Sequence, residues 1–108
     1  MAHVAYQLLR DKMRRTREAI SLRVAQNLSL AMGQAVTQFT NDQGRVMYLH
    51  RSARYPKKWQ LTWCDNRGPS GHTEFDDQEE AIRSASGEFT KSGPPYGSRD
   101  YKVTETRP

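Results

Sequence analysis

The sequence predicts an α+β fold: a small antiparallel sheet of three to four strands, a long N-terminal helix and a second helix packed on the sheet. Three observations predict it. Apolar residues recur at helical spacing through the first third of the chain, where neither Pro nor Gly appears before Gly33. From Val36 the apolar spacing shortens to two, and clusters of Asn, Asp and Gly punctuate it. Helical spacing then returns after Asp76 and Asp77. A chain of 108 residues has room for one domain. An eight-stranded α/β barrel, which needs about 250 residues, is excluded.

The first helix is carried by Leu9, Met13, Ile20, Val24, Leu28, Ala31 and Ala35, with Thr16 in the one long gap. Propensity alone leaves such a helix marginal in water. Its apolar stripe must therefore pack into the core or against another subunit. Gly33 marks the expected stop, between Leu30 and Val36.

Val36–Phe39 and Val46–Leu49 read as hairpin arms around the turn Asn41-Asp42-Gln43-Gly44. Pro56 breaks the chain again before Trp59-Gln60-Leu61-Thr62-Trp63, the clearest strand. Its alternation sends Trp59, Leu61 and Trp63 to one face and Gln60, Thr62 and Cys64 to the other. The first face should lie under the second helix, and the second, more polar, should meet solvent or a ligand. Asp65 to Gly71 reads as a loop rich in turn residues, and His72–Phe75 as a short strand.

Asp76 or Asp77 can cap the second helix, since Glu79 and Glu80 stand three residues further on. Phe75, Ile82, Ala85 and Phe89 mark its expected inner face. Lys91 to Ser98, with Pro94 and Pro95, reads as a loop or linker. Tyr101 to Val103 reads either as a short edge strand or as part of a disordered tail. The chain thus divides into a basic amphipathic helical segment (1–36), a sheet-plus-helix core (37–89) and a Pro/Gly-containing tail (90–108).

Charge carries the functional signal. Lys and Arg number 17 against 12 Asp and Glu, for a net charge of +5. Met1 to Lys58 holds 11 basic and 3 acidic residues, whereas Trp59 to Pro108 holds 6 and 9. A basic front half attracts polyanions. One basic group is Arg10, Lys12, Arg14, Arg15, Arg17 and Arg23. The other is Arg45, Arg51, Arg54, Lys57 and Lys58, interleaved with Tyr48 and Tyr55. Phosphate contacts need such cations on a continuous surface, and reading of bases needs separate groups. The expected nucleic-acid contacts are Arg14, Arg15, Arg17, Arg51, Arg54, Lys57 and Lys58, with Tyr48 and Tyr55 for stacking.

Catalytic chemistry finds little material. His3, His50, His72 and Cys64 lack the paired spacing of a zinc site, and no orienting third group accompanies a Cys-His pair. Asp76 to Glu80 read as a capped, solvated helix start. Gly68-Pro69-Ser70-Gly71 lacks the lysine and following helix of a phosphate loop. Zinc-finger, homeodomain and RNA-recognition signatures are absent. A single cysteine rules out an internal disulfide and points to a reducing compartment. No apolar run reaches the roughly 20 residues of a membrane span.

These features lead to the expectation of a cytoplasmic, non-catalytic accessory or regulatory protein that binds DNA or RNA and carries no cofactor or metal. Its rival is an inhibitor or adaptor docking on a larger protein complex. A homodimer through the N-terminal helix is compatible with either.

Overall fold

The computed structural model describes residues 2–42, 44–90 and 101–108. Its elements run α1 (Ala2–Ala31), β1 (Val36–Asn41), β2 (Val46–Arg51), β3 (Trp59–Asp65), β4 (Gly68–Phe75), α2 (Gln78–Thr90) and β5 (Tyr101–Thr106). The strands form one antiparallel sheet in the order β4-β3-β2-β1-β5. The fold is the expected α+β arrangement, with two helices and an antiparallel sheet that reaches five strands.

Helix α1 ends where glycine permits it. Gly33 has φ +79°, its N–H donates to Leu30 O at 3.0 Å, and the N–H of Gln34 donates to Ser29 O at 2.9 Å. These two bonds satisfy the last carbonyls in the manner of a Schellman motif. Gly44, with φ +77°, closes the hairpin between β1 and β2, and Asn41 Oδ1 accepts from the N–H of Arg45 at 2.9 Å. Asp77 caps α2 by accepting from the N–H of Glu80 at 3.1 Å.

The core lies between α2 and one sheet face. Phe39, Met47, Leu49, Trp59 and Leu61 meet Ala81 and Ala85, with Trp63, Phe75 and Tyr101 packed around them. The tryptophan face of β3 therefore faces α2, as its alternation predicts. On α2 the buried positions are Ala81 and Ala85, whereas Ile82 is exposed. The helix approaches the sheet on small residues, so the expectation that Ile82 faces inward is corrected. The side chain of Phe89 and the segment from Lys91 to Ser98 lie outside the described residues.

Two further expectations change. The stretch from Asp65 to Gly71 is mostly strand: only Asn66 and Arg67 turn, and β4 starts at Gly68, whose φ is +107°. Pro69 is tolerated because β4 is an edge strand, and a bulge at Trp63/Cys64 absorbs the irregular register. The second sheet face is not open along its length. Helix α1 lies against β2 and β4, and Ala25, Ser29, His50 and Thr62 are buried there. The sheet is thus covered on both sides.

Residues 101–106 form the edge strand rather than a disordered tail. β5 pairs with β1 from Tyr101↔Asn41 to Thr106↔Val36. Tyr101 also shares a 2.9 Å hydrogen bond with Ser86 of α2 and places its ring 6.1 Å from that of Phe39.

Candidate nucleic-acid interface

Helix α1 is amphipathic in an unusual sense. Its sheet-facing row is Asp11, Arg15, Glu18, Leu22, Ala25 and Ser29, all buried or half-buried. Leu9, Met13, Ile20 and Val24, the apolar stripe of the sequence, lie about half a turn away and are exposed. Two acids are thereby turned inward. Asp11 is held by Arg14 at 2.7 Å and Arg15 at 3.5 Å, while Glu18 lines a small cavity of about 40 Å³ with Gln60, Thr62 and His72. Arg10, Lys12, Arg14, Arg17 and Arg23 remain on the solvent side.

Arg15 has a different role. Its guanidinium donates to both oxygens of Asp65, at 3.0 and 3.3 Å, and ties the helix to the end of β3. That hydrogen bond, helped by the N–H of Arg67 at 2.8 Å, holds the Asp65 carboxyl below the usual carboxylate range. The same bond raises the Arg15 guanidinium above its ordinary value. Arg15 is a structural clasp, and its cationic head is already engaged.

The second basic group lies at the other end of the sheet. Arg51 is opposite Trp59 and Val46 opposite Cys64. Arg51 and the Asp65 end where Arg15 docks are thus separated by the length of β2, about 20 Å. Arg45 stays at the Asp65 end of this strand, 3.8 Å from Glu88. The cations from Arg45 to Lys58 do not form one patch.

The loop from Ser52 to Lys58 is ordered by its own hydrogen bonds. Ser52 N–H donates to Lys58 O (3.0 Å), Lys58 N–H to Tyr55 O (2.8 Å), and Tyr55 N–H to Ser52 Oγ (3.0 Å). Arg51 closes it by donating to Lys57 O at 3.3 Å while its guanidinium lies 4.1 Å from the Trp59 ring centroid. This stacked arginine is committed to the loop, as Arg15 is to the helix. Arg54, Lys57 and Lys58 project outward, and Lys58 lies 3.6 Å from the exposed carboxylate of Asp76. Tyr55 is exposed, with Arg54 and Lys58 at 5.3 and 5.9 Å from its ring centroid.

Tyr48 stands apart from this loop. It is half-buried in the middle of β2, and burial pushes its phenol upward, with the nearby Cys64 adding to the effect. Arg10 and Lys12, outside the contacts expected from sequence, are exposed cations of α1 as well. What places them outward is the docking of the row Asp11, Arg15 and Glu18 on the sheet, which the apolar period of the sequence does not signal.

Two of the candidate catalytic groups, His50 and Cys64, are held by local structure. His50 is fully buried, its Nδ1 2.8 Å from Arg51 O and its Nε2 2.9 Å from Thr62 Oγ1. The Nδ1–H tautomer satisfies both, donating to the carbonyl and accepting from the hydroxyl. Burial lowers its pKa, so the ring stays neutral. Burial pushes the Cys64 thiol up to about 11, the opposite of what a thiolate nucleophile needs. Among the described residues no three His, Cys, Asp or Glu side chains gather as a metal site. No described helix is long and apolar enough to cross a membrane.

No protein-family profile matches the chain, and neither a curated protein nor a solved structure does.

Proposed function

We propose that this chain is a small, non-catalytic nucleic-acid-binding accessory protein that grips a phosphate backbone at two separated points. One point is the solvent side of α1, with Arg10, Lys12 and Arg17, beside Arg14, whose guanidinium is shared with Asp11 at 2.7 Å. The other is the loop bearing Arg54, Lys57 and Lys58, where exposed Tyr55 offers a ring for stacking. The observation that carries this reading is the sidedness of α1: Asp11 and Glu18 turn toward the sheet while the cations face solvent. Contacts of this kind position the protein without reading sequence.

The test is a titration of nuclease-treated protein with duplex DNA, single-stranded DNA and RNA across a range of salt. About six duplex contacts give a log–log slope near −5. Replacing Arg54, Lys57 and Lys58 together by Ala should weaken binding to unrelated sequences alike. Absence of salt-sensitive binding to all three probes overturns the proposal. The exposed apolar side chains of α1 favour a second reading, docking on a larger protein complex as an inhibitor or adaptor. That reading predicts a stoichiometric protein complex insensitive to nuclease.

A further inference from the structure

We infer that the solvent face of α1 is an interface with a second copy of this chain, the two helices packing antiparallel, and that pairing is coupled to binding of a polyanion. Only the coupling rests on the phosphate-binding reading; the pairing stands on the helix itself.

Tyr6, Leu9, Met13, Thr16, Ile20, Arg23 and Asn27 follow the alternating three- and four-residue spacing of a coiled-coil seam, apolar at Tyr6, Leu9, Met13 and Ile20, with Val24 beside it. Tyr6, Leu9, Met13, Ile20 and Val24 are each between 52% and 60% exposed. Val4 and Leu8 are exposed too but lie off this stripe toward Lys12, and from Leu9 to Val24 the apolar face is narrow enough to fit one further helix. The sheet lies on the opposite side of α1, so two copies can meet helix to helix without their sheets colliding.

A second α1 is a good complement. With a two-fold axis between Met13 and Thr16, Leu9 of one copy faces Ile20 of the other, and Met13 faces Thr16. Large meets small at the centre, and every contact occurs twice, as an isologous interface requires. Tyr6 then meets the aliphatic stem of Arg23. A helix pair overlapping only from Tyr6 to Arg23 sits at the small end of specific interfaces, which bury upward of about 1,200 Å² in total. The pair is accordingly weak and reversible.

The flanks set its regulation. In this register Arg10 of one copy stands beside Arg17 of the other, twice along the same edge, while Lys12 stands beside Ala19 on the other edge. Four arginines on one edge weaken pairing at low salt and form a continuous strip for an anion. Linkage then requires that a polyanion seated on the strip tighten the dimer, and that the dimer bind the polyanion more tightly than the monomer.

The experiment is sedimentation of the full chain up to about 200 µM, where a weak dimer is populated. It is run at about 50 mM and about 500 mM salt, with and without a 12-nucleotide single strand, because salt screens the arginine edge. The expected result is a monomer–dimer equilibrium tightening at least about threefold at the higher salt, and at low salt on adding the oligonucleotide. Leu9→Asp with Ile20→Asp abolishes the dimer while circular dichroism and tryptophan emission stay unchanged. In a Cys64→Ser background, Met13→Cys mixed with Thr16→Cys oxidises preferentially to the mixed disulfide. A monomer under every condition overturns the pairing, and a preference for like-with-like disulfides overturns the antiparallel register. A monomer that instead binds anionic vesicles, or an acidic helical peptide, through Leu9 and Ile20 assigns the face to that partner and overturns the pairing. A salt-tightened dimer that ignores the oligonucleotide keeps the interface and overturns the coupling; the phosphate reading falls with it only where the oligonucleotide also fails to bind the monomer.

Discussion

Ser29 on α1 accepts a hydrogen bond from the backbone N–H of Arg51 at 2.7 Å, and its own hydroxyl donates to Ala25 O at 2.9 Å. Ser29 is fully buried, so this bond fixes the C-terminal part of α1 to the end of β2. It also supplies a partner for a strand-end N–H at the point where β2 gives way to the loop. Ser29→Ala leaves that N–H unsatisfied and should cost about 1–3 kcal/mol. Urea unfolding measures it. A loss below a few tenths of a kcal/mol would show that the bond is not what docks the helix.

Two glycines should respond in opposite directions. A Cβ on Gly71 would lie 2.7 Å from Trp63 Nε1 and 2.8 Å from two ring carbons, so the indole covers this strand position closely. Gly71→Ala should destabilise by about 1–3 kcal/mol, as overpacking does. Gly87 sits in α2 with nothing within 4 Å of an added Cβ. Gly87→Ala should therefore stabilise by about 0.5–1 kcal/mol through helix propensity. Paired thermal melts decide both.

The contrast between these positions shows what the sequence makes legible. The strand β3, the hairpin turn at Gly44, the stop at Gly33 and the Asp77 cap each follow from local chemistry confined to a few residues. The path of β4 does not, because Gly68, Pro69 and Gly71 belong equally to loops. They enter a strand here through an edge position, a bulge and the overlying Trp63 ring, all of which are tertiary. Helix α1 misleads more deeply. Its apolar period is real, but the sheet takes the polar row from Asp11 to Ser29, with Arg15 clasping Asp65 and Ser29 bonding Arg51. Hydrophobic period alone cannot reveal that a helix docks through its polar side. The candidate site inherits the same division: its basic content is legible, while the commitment of Arg15 and Arg51 to structural contacts depends on residues distant in sequence.

His50 gives the fold a dependence on pH. Its pKa is lowered in the folded chain from the ordinary 6.5, chiefly by burial, so the unfolded state binds the proton more readily. The stability gained from the neutral ring is fully present above about pH 6.5 and declines as pH falls toward the folded value. Urea midpoints measured from pH 8 downward should fall in that window, and His50→Gln should flatten the response there. An unchanged slope in His50→Gln would place the dependence on another group.

Arg15 and Arg17 are two residues apart, carry the same charge and should separate structure from binding. Arg15 is clasped to Asp65, and Arg17 points to solvent among the other outward cations. Arg15→Ala should loosen the first half of α1 from β3, read as faster amide exchange from His3 to Arg14 and a lower melting temperature. Arg17→Ala should leave both unchanged, while lowering affinity for duplex DNA and reducing the magnitude of its salt slope by about 0.9, the loss of one phosphate contact. The comparison also bears on the proposed helix pair, since Arg17 sits on its repulsive edge. Removing that charge should tighten self-association at low salt even as it weakens the nucleic-acid complex. If Arg17→Ala lowered the melting temperature as much as Arg15→Ala, the outer row would be structural, and α1 would lose its assignment as a phosphate contact.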